Sequence, residues 1–249
     1  MFYLIYFFII YNMINYENQI KIFYDGINID NFSNEKYIKG FTTNPTILNG
    51  NKKFNNYKDL ALYFLEKSNG LPVSFEIFAD DDELMINQGI EINSWGNNIY
   101  VKIPIINSQG KSTENVIKKL NSLEIKLNIT AIFTEEHSKI AFNSILNKKI
   151  PTIISIFSGR IADTGINPKN ICINTVKLCK DTNIEVLWAS TREVFNLFDA
   201  ISCGCHIITV PDDILKKFKY INKDLNEYAI ETVKIFYEDG KKSKLIINI

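Results

Sequence analysis

Residues 98–105, Asn-Ile-Tyr-Val-Lys-Ile-Pro-Ile, place one lysine inside an otherwise apolar run that reads as a buried strand. Lysine is seldom buried without a partner. In a core strand, desolvation lowers the pKa of the Lys102 ammonium, and the neutral amine becomes a nucleophile able to form a Schiff base with a carbonyl. The plainer reading is an edge-strand lysine that snorkels to solvent. Which reading holds depends on the other polar residues that the fold brings to the same place.

Several such residues sit at or near the ends of other β-rich runs. Asp25 ends the first run, Asn44 ends the second, and Glu76 lies late in the third. Asn128 and Thr130 share one parity in the fifth, Ser155 and Phe157 share one in the sixth, and Ser190 ends the seventh. Each has an ordinary explanation. Asp25 and Asn44 are good caps for a following helix or turn, Glu76 suits a solvated edge, Thr130 is a common strand residue, and Ser155 fills space. Together they are harder to dismiss, because each buried polar group costs roughly 1–3 kcal/mol if left unpaired. Two arginines lie just past strand ends, Arg160 in Ser-Gly-Arg and Arg192 in Ser-Thr-Arg. A guanidinium beside a hydroxyl and free backbone N–H groups binds anions; the alternative for either is a surface salt bridge.

The elements that must position these side chains follow from periodicity. Residues 20–25, 40–44, 72–78, 99–105, 126–133, 152–157, 184–190 and 206–211 read as eight strands. Between them, residues 57–68, 82–93, 113–123, 135–146, 170–181 and 192–202 are amphipathic at helical spacing, while the first crossover, 30–39, is short. Strand and helix in alternation predict parallel βαβ units. Eight units without an early Gly-rich phosphate turn favour an α/β fold closed into a (β/α)₈ TIM barrel over an open doubly wound sheet. Gly204 is placed to end the helix before the last strand. Residues 212–237 read as extra C-terminal helices packed outside the barrel or near its mouth. In such a barrel the strand C-termini form the active face, which is where the polar residues fall.

With 249 residues, 46% of them hydrophobic, the chain can bury one full core. The 28 Lys and Arg balance the 28 Asp and Glu, so no global field recruits nucleic acid or an anionic membrane. Four cysteines read as reduced thiols of a cytoplasmic protein. With two histidines, and with Cys203-Gly204-Cys205-His206 off standard zinc spacing at the start of the last strand, no metal site is expected. The tail lysines Lys216, Lys217 and Lys219 read as a solvated helix face. Residues 1–10 are aromatic and aliphatic, too short to span a bilayer and without preceding positive charge. Residues 1–19 are set aside as an extension, either a mis-assigned start before Met13 or a disordered or interfacial tag, and residues 20–249 are read as the barrel domain.

The blocks Gly40-Phe41-Thr42-Thr43-Asn44-Pro45-Thr46, Val101-Lys102-Ile103-Pro104, Asn128-Ile129-Thr130, Phe157-Ser158-Gly159-Arg160-Ile161-Ala162-Asp163 and Ala189-Ser190-Thr191-Arg192 resemble, in order and spacing, the transaldolase family. These are Schiff-base aldolases on a (β/α)₈ barrel, and they include the fructose-6-phosphate aldolases. The resemblance implies that Lys102 is the Schiff-base lysine and Asp25 the acid/base for carbon–carbon cleavage. Glu76 and Thr130 would hold a proton-relaying water. Asn44, Asn128 and Ser155 would bind donor hydroxyls, and Arg160, Ser190 and Arg192 the sugar phosphate. No metal or organic cofactor is implied, because the iminium is the electron sink, and barrels of this family often form homo-oligomers. Phe157 and Glu76 resemble the transaldolase branch, whereas the aldolase members place tyrosine and glutamine there. Asp25-Gly26 departs from the usual Asp-Thr. The alternatives to a transaldolase are a fructose-6-phosphate aldolase-like lyase and a sugar-phosphate-binding barrel without catalysis.

Overall fold

A computed structural model describes Tyr16 and residues 19–247; the expectations for residues 1–12 lie outside the described residues. Eight parallel strands close into a barrel in chain order: β1 (Lys21–Asp25), β2 (Ile38–Thr42), β3 (Val73–Glu76), β4 (Ile99–Pro104), β5 (Leu127–Ile132), β6 (Thr152–Ile156), β7 (Ile184–Trp188) and β8 (Ile207–Val210). The eight expected strands are these, seven of them trimmed at one or both ends and the second shifted two residues towards the N-terminus, from 40–44 to 38–42. The helices are α1 (Pro45–Leu48), α2 (Tyr57–Lys67), α3 (Asp82–Asn93), α4 (Glu114–Ser122), α5 (Glu135–Ser144), α6 (Ser158–Asp163), α7 (Lys169–Leu178), α8 (Phe195–Ser202), α9 (Asp212–Leu215) and α10 (Leu225–Ser243). The short first crossover carries only a 3₁₀ turn, Ile29–Asn31, with Phe32 and Tyr37 buried beside it in place of a helix.

Two apolar layers follow from the alternation of strand residues. Outward-facing residues such as Val73, Val101, Ile103, Leu127, Ile129 and Val186 are wholly buried under the helices. Inward, Phe23, Ile153, Leu187 and Ile207 fill the lower barrel, with Tyr100 packed against them. Phe23 reaches the axis because residue 40 on the neighbouring strand is glycine: a Cβ there would lie 2.5 Å from the ring. This plug supports the polar layer above it.

Local sequence sets the helix ends. Asp81 Oδ1 accepts the N–H groups of Glu83 and Leu84 to start α3, and Thr134 Oγ1 accepts that of His137 to start α5. Gly204, at φ +73°, ends α8: Cys205 N–H donates to Ala200 O at 3.0 Å and Gly204 N–H to Ile201 O at 2.9 Å. The start of α8 differs from the expected residue 192. Asn196 Oδ1 accepts the N–H groups of Arg192 and Glu193, holding residues 190–193 as a turn at the barrel mouth and delaying the helix to Phe195. His206 Nδ1 accepts Val186 N–H at 2.9 Å at the opposite end of the barrel from the polar layer, and the four cysteines are buried free thiols.

The tail corrects the expectation in part. α9 packs on the barrel through Ile214 and Leu215, and Phe218 is buried just beyond it. α10 forms, but it buries none of its residues, so its apolar side chains Ile230, Val233 and Phe236 face solvent. An amphipathic pattern predicts a helix; it does not say that the same chain supplies the surface. Among the described residues no helix is long and apolar enough to cross a membrane.

Candidate active site

At the C-terminal mouth of the barrel, a cavity of about 520 Å³ is lined by residues from all eight strands or the loops that follow them. Every side chain singled out in the sequence lines it: Asp25, Asn44, Glu76, Lys102, Asn128 and Thr130 from the first five units, then Ser155, Phe157, Arg160, Ser190 and Arg192 from the next two. Strand alternation explains the convergence, since inward positions on parallel neighbours fall in one layer. Glu76 pairs in register with Lys102, Asp25 with Thr42, and Pro104 with Thr130.

Lys102 stands centrally and is 6% exposed. Its Nζ is 3.2 Å from Glu76 Oε2 and donates to Thr43 O at 3.1 Å. The buried reading of residues 98–105 is therefore the one the fold adopts, with a carboxylate partner. Tyr57, from α2, donates its hydroxyl to Glu76 O at 3.0 Å and fixes the strand end that carries this carboxylate.

Asp25 lies beside this pair. Burial raises the pKa of its carboxyl, opposed by the nearby Lys102 charge and by the hydrogen bond from Thr42 Oγ1, 2.7 Å from Oδ1. A carboxyl that burial makes more basic, next to an amine, can take and return a proton. Asn44 serves two ends: its Oδ1 caps α1 by accepting Ile47 N–H at 2.9 Å, while its residue still lines the cavity. The capping explanation was correct for Asn44, and it leaves the amide NH₂ for a ligand.

A second polar chain crosses the barrel. Ser155 Oγ donates to Asn128 Oδ1 at 2.6 Å, and Asn128 Nδ2 donates to Ser74 Oγ at 3.0 Å. Ser74 went unrecognised in the sequence. It shares inward parity with Glu76 two residues on, and that was the available signal. Thr42, facing Asp25, was likewise missed inside its motif. Thr130 Oγ1 is buried and has no partner among the described residues, so its hydroxyl is open to a ligand. The chain bends immediately after it: Ala131 takes φ +57°, and the β5–β6 register shifts between Ile129 and Ile132. Such a bulge turns neighbouring side chains towards a site.

The rim is basic. The Arg160 guanidinium lies over the Phe157 ring at 5.7 Å, and Arg192 Nη2 donates to Asp163 Oδ2 at 2.7 Å. Ser190 is held at φ +64°, a conformation that costs a non-glycine residue about 1–3 kcal/mol. Gly159 makes this rim possible. A Cβ on it would lie 1.6 Å from Ser190 O and 3.1 Å from Arg192 Cγ, so α6 can approach the 190–192 turn only without a side chain there. Gly159→Ala should lower stability by about 1–3 kcal/mol, the cost of overpacking. It should also weaken inorganic phosphate binding at the rim; denaturation and phosphate inhibition read the two effects.

With this geometry in place, the comparisons with known proteins are specific. Residues 22–245 match the family model described as transaldolase/fructose-6-phosphate aldolase. A probable transaldolase of Thermoanaerobacter sp. (strain X514) is 30% identical over 92% of this chain and all of its own length. One of Herpetosiphon aurantiacus is 31% identical over 78% of this chain and 83% of its own. A third, of Thermoplasma acidophilum, is 31% identical over 90% of this chain and 96% of its own. A lysine and a carboxylate at the floor of a (β/α)₈ mouth with a basic rim, together with matches across nearly the whole barrel, place this chain in the transaldolase/fructose-6-phosphate aldolase family.

Proposed function

We propose that the protein is a transaldolase, moving a dihydroxyacetone unit from a ketose phosphate to an aldose phosphate through a Schiff base on Lys102. The observation that carries this reading is the Lys102–Glu76–Asp25 cluster opening onto one cavity whose rim holds Arg160 and Arg192. Lys102 Nζ, once deprotonated, attacks the C2 carbonyl of fructose 6-phosphate or sedoheptulose 7-phosphate. Loss of water, with protons relayed by a water held between Glu76 and Thr130, leaves an iminium. Asp25 then takes the proton of the C4 hydroxyl as the C3–C4 bond breaks; its electron pair passes into the iminium, and the aldose phosphate leaves. The resulting enamine attacks the carbonyl carbon of the acceptor aldehyde while Asp25 returns the proton to the new alkoxide. Hydrolysis of the iminium frees the product and Lys102. Asn44, Asn128 and Ser155 hold the donor hydroxyls, and Ser190 with the arginines holds the phosphate.

Transfer, rather than release of free dihydroxyacetone, is supported by Phe157. It lines the cavity without a hydroxyl that could protonate the enamine, so the enamine persists until an aldehyde arrives. Borohydride reduction in the presence of fructose 6-phosphate should leave an adduct on Lys102 by mass spectrometry, and turnover should require erythrose 4-phosphate. Free dihydroxyacetone formed faster than acceptor-dependent product would assign a lyase instead, and absence of the adduct would leave a binding barrel. Combining Phe157→Tyr with Glu76→Gln should raise the ratio of acceptor-independent release to transfer about tenfold, or about 1.4 kcal/mol between the two barriers. Parallel assays with and without acceptor measure that ratio.

A further inference from the structure

Tyr24 precedes Asp25 on β1, and strand alternation turns its side chain away from the cavity into the outer layer. The residue is 1% exposed, and its ring stacks on Phe32 at 4.5 Å and meets Phe41 edge-on at 6.4 Å. The hydroxyl end then passes under residue 26. A Cβ built on Gly26 would lie 2.2 Å from that oxygen and 2.4 Å from the ring carbon bearing it. Gly26 is not in the left-handed region, so glycine is required here for space and not for backbone conformation. The buried phenol fills the volume that any side chain at 26 would need.

What the hydroxyl does there connects it to the site. It accepts Asn28 N–H at 3.1 Å from the loop after β1, and it faces the carboxylate of Asp212, the first residue of α9. Burial first, and then the Asp212 carboxylate, hold the phenol above its ordinary range, so it keeps its proton beside that carboxylate. Asp212 follows Pro211, which lines the catalytic cavity, and β1 and β8 are paired with Tyr24 opposite Val210. The hydroxyl thus holds the loop after β1 and lies beside the start of α9. Asp25 sits at that terminus, with its carboxylate held from the β2 side by Thr42.

We infer that Tyr24 and Gly26 form a single positioning device for Asp25: the phenol occupies the place of a side chain at 26 and holds the loop after β1 through Asn28 N–H, fixing the carboxylate against the hydroxyl it deprotonates. The inference rests on the reading of Asp25 as the acid/base. Tyr24 touches no substrate and is not itself catalytic.

The test separates Schiff-base formation from carbon–carbon cleavage in the full-length protein. Tyr24→Phe keeps the ring and removes the hydroxyl; Asp212→Ala removes the carboxylate that faces it without touching the buried layer. Each should lower kcat for transfer about tenfold, within the ~10²-fold that a 1 Å misplacement costs. KM for fructose 6-phosphate and the rate of borohydride trapping at Lys102 should stay within about twofold. Gly26→Ala, which displaces the phenol, should match Tyr24→Phe, and the double variant should be no slower than either single one. Equal losses in trapping and in cleavage, unchanged kcat, or additive losses at positions 24 and 26 would each overturn the inference. Asp25→Asn in the same assays keeps the two readings apart. If it leaves cleavage intact, the role given to Asp25 fails; if it slows cleavage while Tyr24→Phe does not, only the positioning device fails.

Discussion

Lys102→Ala should abolish turnover, with kcat falling on the order of 10⁶-fold, the scale on which loss of a covalent nucleophile is felt when the rest of a catalytic unit remains. No other lysine among the described residues lines the cavity, so no neighbouring amine takes over. The fold should survive. Truncation removes the hydrogen bond to Thr43 O and leaves Glu76 without its cation, a cost of about 1–3 kcal/mol for a newly unpaired group. Glu76 retains 15% side-chain exposure, so water replaces the ammonium, and a domain with ~5–15 kcal/mol of stability tolerates the change. Circular dichroism and thermal denaturation check the fold, and borohydride trapping checks the chemistry. Retained turnover in a folded Lys102→Ala protein would remove the Schiff base from the mechanism.

Asp25→Asn should separate stability from activity. The amide keeps the shape of the carboxylate and still accepts from Thr42 Oγ1, but it cannot accept the substrate's proton, and kcat should fall roughly 10²–10⁴-fold. Stability should move the other way. Burial raises the carboxyl pKa in the folded protein more than Lys102 and Thr42 lower it. Between the unfolded and folded values the native state therefore binds more protons than the unfolded chain. Wild-type stability falls as pH rises through that window, and above it the full cost of the buried charge is present. Asp25→Asn should accordingly melt higher than wild type at neutral pH, with the difference vanishing as pH drops below the ordinary carboxylate range. Melting curves across pH measure it. A variant less stable than wild type at neutral pH would mean that the Lys102 charge, and not burial, dominates at Asp25. The expected pattern is that of an active-site charge kept at a stability cost.

Much of this site was readable before the fold was known, for a geometric reason. In a parallel barrel, inward residues recur every second position, and the strands end in one layer, so polar residues near strand ends are brought together whatever the loops do. Lys102, Glu76, Asp25, Asn128, Thr130 and Ser155 follow from that rule alone. Ser74 obeys it too and was overlooked because a serine in a strand has an ordinary packing role.

The sequence by itself therefore determined the eight βα units, the closed barrel, and which side chains meet at its mouth, because these depend on local periodicity and on strand order. Tertiary structure alone decided what depends on paths through space. The Tyr24 phenol filling the space beneath Gly26 and the Ser190 carbonyl seated where a side chain at 159 would stand depend on packing that has no periodic signature. The helix α10 marks the same boundary from the other side: its apolar spacing specified a helix, and only the packed structure determined that the barrel would not cover it.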